Sequence, residues 1–405
     1  MTIYGQVVVG PPGSGKTTYC QGMQEYLRLL GRNACVINLD PANEVPSTSS
    51  STSTSDNTKE DEGDNENDDD NNDDTITANN KDRNNLPYDA LLDVCDSVVN
   101  LSSVMKQLGL GPNGGLVYCM EYLDAHVDDV VDEITQKIQE DQQKDNTDVY
   151  LLIDLPGQVE LYTHGTAVPR LLYKLVRAID LRLVAVQLID SHYCTEPSNF
   201  LSATLLATNI MLRLELPAVC VLSKVDLLVN YGPLPFNLEF FTECSDLERL
   251  VPYLTHDDYN DNDEVDISAT TEETTYADDP DYQMARRNTR SSPFFRKHER
   301  LHQRMAETVE DFSLLSFIPL DIQDAESVGR VVARIDKANG YVFVASSRQT
   351  QQNKNSNMTP TTEDIFQCAI QSETSTSMYE SIADVQERLV AAREHHHKER
   401  QKKAK

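Results

Sequence analysis

The sequence predicts an α/β fold, with a mostly parallel sheet flanked by helices. Three observations carry this reading. Short apolar runs alternate with longer segments of helical spacing, the pattern of successive β–α–β units. The runs are apolar at neighbouring positions, which suits strands covered on both faces. A glycine-rich turn directly follows the first run.

The elements follow in order. The first strand covers residues 6–9 (QVVV) and leads through the turn into a helix at about 16–30. Residues 34–38 (ACVIN), 150–153 (YLLI), 183–189 and 219–222 give the second to fifth strands, and 317–320 the last. A helix at about 325–339 follows, with Gly340 placed to end it. Between the fifth and last strands, residues 236–254 and 292–314 have helical apolar spacing and are read as a helical insertion. Most of their apolar side chains are expected to pack on the sheet. Phe240, Phe241, Phe294 and Phe295 are expected to be partly exposed.

The 405 residues include 66 acidic and 35 basic side chains, for a formal net charge of −31. Residues 47–85 hold 12 acidic and 3 basic residues, and residues 255–292 hold 11 and 3. Such segments bury too little apolar surface to fold, so 46–85 and 255–292 are read as disordered insertions in one domain, 1–345. Residues 346–405 are read as a disordered tail with a short amphipathic helix (Ile382, Val385, Leu389, Val390) and a basic end. That end is either a nuclear address or a solvated helix terminus. The acidic balance disfavours direct nucleic-acid binding, which needs clustered cations. No apolar stretch is long enough to cross a bilayer, and the first residues lack a secretory pattern, so no membrane association is expected. The 8 cysteines form no CxxC and no zinc spacing, and are read as free thiols in a reducing compartment.

GPPGSGKTT (Gly10, Pro11, Pro12, Gly13, Ser14, Gly15, Lys16, Thr17, Thr18) matches a phosphate-binding P-loop between a strand and a helix. Glycines let backbone N–H groups wrap phosphate, and the helix N-terminus favours anions. Lys16 neutralises the β- and γ-phosphates, and the Thr17 hydroxyl ligates Mg²⁺. The fold is therefore read as a P-loop NTPase, with the helical insertion over the nucleotide site. DLPGQ follows the 150–153 strand. Asp154 there would serve Mg²⁺, the Gly157 N–H would face the γ-phosphate, and Gln158 would orient a water. SKVD (Ser223, Lys224, Asp226) follows the 219–222 strand. Asp226 can accept two bonds from guanine and would select GTP, while the stem of Lys224 can lie over the base; Ser223 stands where the commoner motif has Asn. Asp40, in NLDPAN, is either a turn former or a carboxylate that orders Mg²⁺ or water.

Gly111, Pro112 and Asn113 read as a turn within LGLGPNGGLVYCMEYL. Together with NLDPAN, DLPGQVELYTH, DSHYC and SKVD, this turn makes the sequence resemble the GPN-loop GTPases. The stretches GLGPNGGLVYCMEYL, DLRLVAVQLIDSHYC, SFIPLDIQD and DKANGYVF point to one subgroup of them. The resemblance covers about residues 1–46, 86–254 and 293–344. It implies GTP hydrolysis with Mg²⁺ in a homodimer, or in a heterodimer with a paralogous GPN-loop GTPase. Asn113 would then act in trans at the partner's γ-phosphate, and Asp40, Gln158 and Glu160 would position or activate the water. It also implies a cytoplasmic protein that shuttles to the nucleus and acts on RNA polymerase II subunits, in assembly and import. The rival readings are an ATPase or small-molecule kinase on the same fold, and a non-catalytic module that binds GTP only to hold its dimer.

Overall fold

The computed structural model describes residues 2–43, 86–145, 149–231, 234–254, 293–312, 315–341, 382–383, 385–388 and 390–391. The expected insertions 46–85 and 255–292 lie outside the described residues, as does most of the tail.

Seven strands run in chain order: β1 (Ile3–Val9), β2 (Asn33–Asn38), β3 (Ala90–Asp93), β4 (Val149–Asp154), β5 (Leu181–Asp190), β6 (Ala218–Ser223) and β7 (Phe317–Pro319). All pair in parallel, in the order β3-β2-β4-β1-β5-β6-β7. Six of them match the expected strands. The seventh, β3, is a short edge strand beside β2 that the sequence reading missed. Only Leu92 of its four residues is fully buried, so ALLD lacks the apolar run that marked the others.

The helices are α1 (Lys16–Leu29), α2 (Val94–Ser97), α3 (Leu101–Leu108), α4 (Pro112–Ala125), α5 (Val127–Asp145), α6 (Glu160–Thr163), α7 (Ala167–Ala178), α8 (Pro197–Leu214), α9 (Leu228–Tyr231), α10 (Leu238–Glu243), α11 (Pro293–Phe312) and α12 (Ala325–Asn339). Strand side chains alternate between two cores. Val7, Val9, Leu151 and Ile153 point to the side of α4, α5 and α7. Val8, Leu152, Val184 and Val186 point to the side of α1 and α12, where Met23, Leu27, Val331 and Ile335 meet them. Gly340, at φ 80°, caps α12 as the sequence implied.

The chain leaves β1 for β2 on one side and later crosses to β5 on the other, with β4 between β1 and β2. Parallel strands put all their carboxyl ends on one rim. The reversal of direction beside β1 opens the crevice in which doubly wound sheets hold ligands.

A third cluster lies at the β6–β7 end, where α8, α10 and α11 bury Phe200, Leu238, Phe241, Leu250 and Phe317. Phe241 is fully buried, not partly exposed: its ring meets Phe200 edge-on at 4.9 Å, and α10 turns it inward. Phe240 is partly buried. The side chains of Phe294 and Phe295 lie outside the described residues. The described tail residues between 382 and 391 are helical. Ile382 is buried in this same cluster, and the Gln386 Oε1 accepts the Leu238 N–H at 3.0 Å. Packing of this kind supplies the partner that an isolated helix of that length lacks.

Truncating Phe241 to Ala empties the centre of this cluster. The expected cost is about 3–5 kcal/mol of unfolding free energy, read by urea denaturation. A change within about 0.5 kcal/mol of wild type would show that the insertion does not share the core.

Candidate functional site

The site is assembled at the carboxyl rim, from the loops that follow β1, β2, β4, β5 and β6. Gly10 opens the phosphate loop at φ 154°, and a Cβ there would lie 2.4 Å from the Leu188 carbonyl oxygen. Only glycine lets the loop pass this close to β5. The loop closes on itself through Ser14 N–H to the Pro11 carbonyl at 3.2 Å, and α1 starts at Lys16. Pro12, Gly13 and Thr18 are exposed, whereas Ser14 and Lys16 are buried.

The Lys16 ammonium donates to the carbonyls of Gly10 (3.1 Å) and Pro11 (3.2 Å). Burial lowers its pKa from the usual lysine value, against the pull of Asp154 and then Asp40, which favour the charged form. Gly157 brings the loop after β4 close by: a Cβ on it would lie 3.0 Å from the Lys16 Nζ.

Asp154 ends β4 with 1 % of its surface exposed. Its Oδ2 accepts from the Thr17 hydroxyl at 3.1 Å and from the Tyr88 hydroxyl at 3.0 Å. Its Oδ1 is buried and has no hydrogen-bond partner. Burial raises the carboxyl to about 6, opposed chiefly by the Tyr88 bond. A buried carboxylate oxygen left open beside a threonine hydroxyl offers oxygen donors that suit a hard cation such as Mg²⁺, while the lysine beside them suits a phosphate. The residues present therefore fit Mg²⁺, with Thr17 and Asp154 as its protein ligands.

Asp40 lies in the loop after β2. Its Oδ1 accepts the Ala42 N–H at 2.9 Å, so it does form a turn. Burial raises its carboxyl pKa, countered by that N–H and by Lys16, which places its charge in the same field as the phosphate loop. Both readings of Asp40 are thus compatible with one geometry.

Gln158 meets Asn113 at the rim: its Nε2 donates to the Asn113 Oδ1 at 2.9 Å, within one chain. Gly111 and Pro112 start α4, with Pro in the first helical turn. Glu160 is exposed at the start of α6, and among the described residues its carboxylate makes no hydrogen bond to the phosphate loop.

Ser223 and Lys224 fasten the end of β6 to the phosphate loop. The Ser223 hydroxyl lies 2.8 Å from the Ser14 carbonyl and 3.2 Å from that of Ile189. Lys224 adopts φ 59°, and its ammonium reaches the Gly13 carbonyl and, at 2.7 Å, Asp190 Oδ2. Asp226 is exposed beyond it; partial burial and the nearby Asp321 carboxylate raise its pKa.

Four contributors were not singled out from sequence. Tyr88 holds Asp154. Tyr162 donates to the Gly10 carbonyl at 2.8 Å from a fully buried position. Asp190 pairs with Lys224, and the Ser191 hydroxyl donates to the Lys224 carbonyl at 2.9 Å. Asp190 and Ser191 fall within DSHYC, and Tyr162 within DLPGQVELYTH, so motif signals existed for three of the four.

A parallel sheet whose first loop carries Gly10–Thr18, with an open carboxylate beside Lys16 and Thr17, defines a P-loop nucleotide-binding protein. A family model described as a conserved hypothetical ATP binding protein matches residues 8–86 and 81–341. The chain is 40% identical over 340 residues to a GPN-loop GTPase 2 of Danio rerio, covering 84% of this chain and 82% of that one. It is 38% identical over 341 residues to the GPN-loop GTPase QQT1 of Arabidopsis thaliana, covering 84% and 86%. An apo-form GTPase structure from Pyrococcus abyssi is a more distant likeness, with TM-score 0.48 and 20% identity over 83% of this chain and 97% of that one. The chain belongs to the GPN-loop GTPase family, and the subgroup indicated by its sequence stretches is GPN-loop GTPase 2. Among the described residues no helix is long and apolar enough to cross a membrane.

The raised carboxyl of Asp154 makes a pH-dependent prediction for the protein free of nucleotide and magnesium. Its pKa rises from 3.8 in the unfolded reference to about 6 in the fold. The neutral acid therefore adds stability that is fully present below about pH 4 and is lost as pH rises through 6. Asp154→Asn should restore it, raising unfolding free energy by about 3 kcal/mol at pH 7.5, with the gain falling to about half that at pH 5 and vanishing only below about pH 4. Urea denaturation at the two pH values measures this, and an equal gain at both would refute it.

Proposed function

We propose that this protein binds GTP with Mg²⁺ and hydrolyses it as a dimeric switch. The observation that carries the reading is the convergence of Lys16, Thr17 and the open Oδ1 of Asp154 at the phosphate loop. Mg²⁺, when bound, would offset charge on the β- and γ-phosphates. Lys16 would turn from the Gly10 and Pro11 carbonyls to phosphate oxygens. The Gly157 N–H would face the γ-phosphate, and Gln158 would orient the attacking water, with the charge of Asp40 close by. The reaction is an in-line displacement at phosphorus, and the protein's part is placement and electrostatics, with no covalent intermediate.

Guanine selection is assigned to Asp226, whose two acceptor oxygens match the N1 and N2 hydrogens of guanine and which lies two residues past Lys224, the side chain that reaches the Gly13 carbonyl. This favours GTP, whereas the matching family model is described by ATP binding. Dimerisation is supported by the surface of α4. Val117, Tyr118 and Tyr122 are exposed on it, and Leu110 is exposed just before it, close in sequence to Asn113. The Asn113–Gln158 contact puts the GPN loop at the site's rim, where a second copy would meet it. Partnership with paralogues or RNA polymerase II subunits, and cytoplasmic residence with nuclear entry, rest on the family resemblance.

Phosphate release under multiple turnover, with GTP and ATP in parallel, tests the function. Asp226→Asn turns one acceptor into a donor facing guanine. It should cut the preference for GTP over ATP by roughly 10–100-fold, and equal selectivity in mutant and wild type would remove Asp226 from this role. Lys16→Ala and Asn113→Ala chains should each lose about 10²-fold or more in turnover. If Asn113 acts across the dimer, mixing the two variants restores activity at one site per mixed dimer; no recovery would place its action within its own chain.

A further inference from the structure

We propose that Tyr88 is a positioning residue for the magnesium carboxylate. Its hydroxyl holds Asp154 by one oxygen so that the other is presented to the cation, and it ties that carboxylate to the Asp40 loop. This rests on the reading of the site as a GTP–Mg²⁺ centre and names a residue that reading does not use.

The geometry is specific. The Tyr88 ring is 5 % exposed and packs in the core shared by α1 and α12, so the hydroxyl has a fixed origin. It donates to Asp154 Oδ2 at 3.0 Å, the oxygen that also accepts from Thr17 at 3.1 Å. The terminal torsion of an aspartate is broad and roughly two-fold, so nothing intrinsic decides which oxygen faces the crevice. Two donors on Oδ2 decide it, and they leave Oδ1 buried and without a partner. In the loaded site the Thr17 oxygen also serves the cation. Tyr88 is then the donor whose role is confined to the carboxylate.

The same hydroxyl reports on a second loop. The Asn43 amide donates to the Tyr88 oxygen at 3.3 Å. A phenol has one proton and can also accept, so a donor on its oxygen directs that proton towards Asp154. Asn43 lies three residues past Asp40. Asn43 is the last described residue before the stretch 44–85, which lies outside the described residues, and Tyr88 is the third after it. Groups behind a metal ligand act in this way: they orient it without touching the metal, and their loss weakens metal affinity.

The test uses the full-length chain and equilibrium binding of a fluorescent GTP analogue, titrated with Mg²⁺ and repeated in EDTA. Tyr88→Phe keeps the packed ring and removes only the hydroxyl. It should raise the Mg²⁺ concentration for half-maximal effect on affinity by about tenfold, leaving affinity in EDTA unchanged. Asn43→Ala should shift it in the same direction by roughly two- to threefold, through the lost donor on the phenol. If wild type responds to Mg²⁺ and Tyr88→Phe responds at the same concentration, the proposal is overturned. An equal loss of affinity with and without Mg²⁺ also overturns it, because a merely structural role would act on both. Should Tyr88→Phe fail to fold, an unshifted Asn43→Ala is decisive against it. If wild-type affinity itself ignores Mg²⁺, the reading of the site as a GTP–Mg²⁺ centre fails, and this inference with it.

Discussion

A carboxylate buried at the end of a central strand constrains everything around it. Asp154 would lie more comfortably in water, and burial pushes its carboxyl to about 6. It keeps a useful charge only because donors and a cation surround it. Thr17 and Tyr88 hold one oxygen, and the Lys16 charge lies nearby. The arrangement works against the stability of the empty protein, as expected where a site is built for a charged ligand rather than for the fold.

The sheet topology explains why these groups meet. With every strand parallel, the loops after β1, β2, β4, β5 and β6 emerge on one rim. Each of those loops supplies one polar part: Lys16, Asp40, Asp154, Asp190, and Ser223 with Lys224. Residues far apart in the chain, such as Ser14 and Ser223, become hydrogen-bond partners there. The nucleotide-side loops are also clasped to one another. Ser223 and Lys224 both bond to carbonyls of the phosphate loop, so the loop after β6 and the phosphate loop share one framework.

The helical insertion plays a different part. Its Phe241 faces inward onto Phe200, and tail residues Ile382 and Gln386 pack against the same cluster. Distant segments thus meet in one core at the β6–β7 edge, and the tail gains a packed face there that its own sequence could not provide.

The sequence by itself determined the elements whose signals are local. Continuous apolar runs marked six strands, because a strand covered on both faces has no polar side to interrupt it. The spacing of Gly10, Gly15, Lys16 and Thr17 marked the phosphate loop, because backbone wrapping of an anion demands those residue types in that order. Tertiary structure alone decided what depends on a neighbour. β3 is a strand because β2 offers it a ladder, not because ALLD is strongly apolar. Phe241 is buried because α10 turns it onto Phe200, which helical spacing alone did not reveal. Tyr88 bears on Asp154 only through the fold, which brings together residues 66 positions apart. A hydrogen bond across such a separation leaves no periodic trace in a chain, and so it was legible only once the strands were side by side.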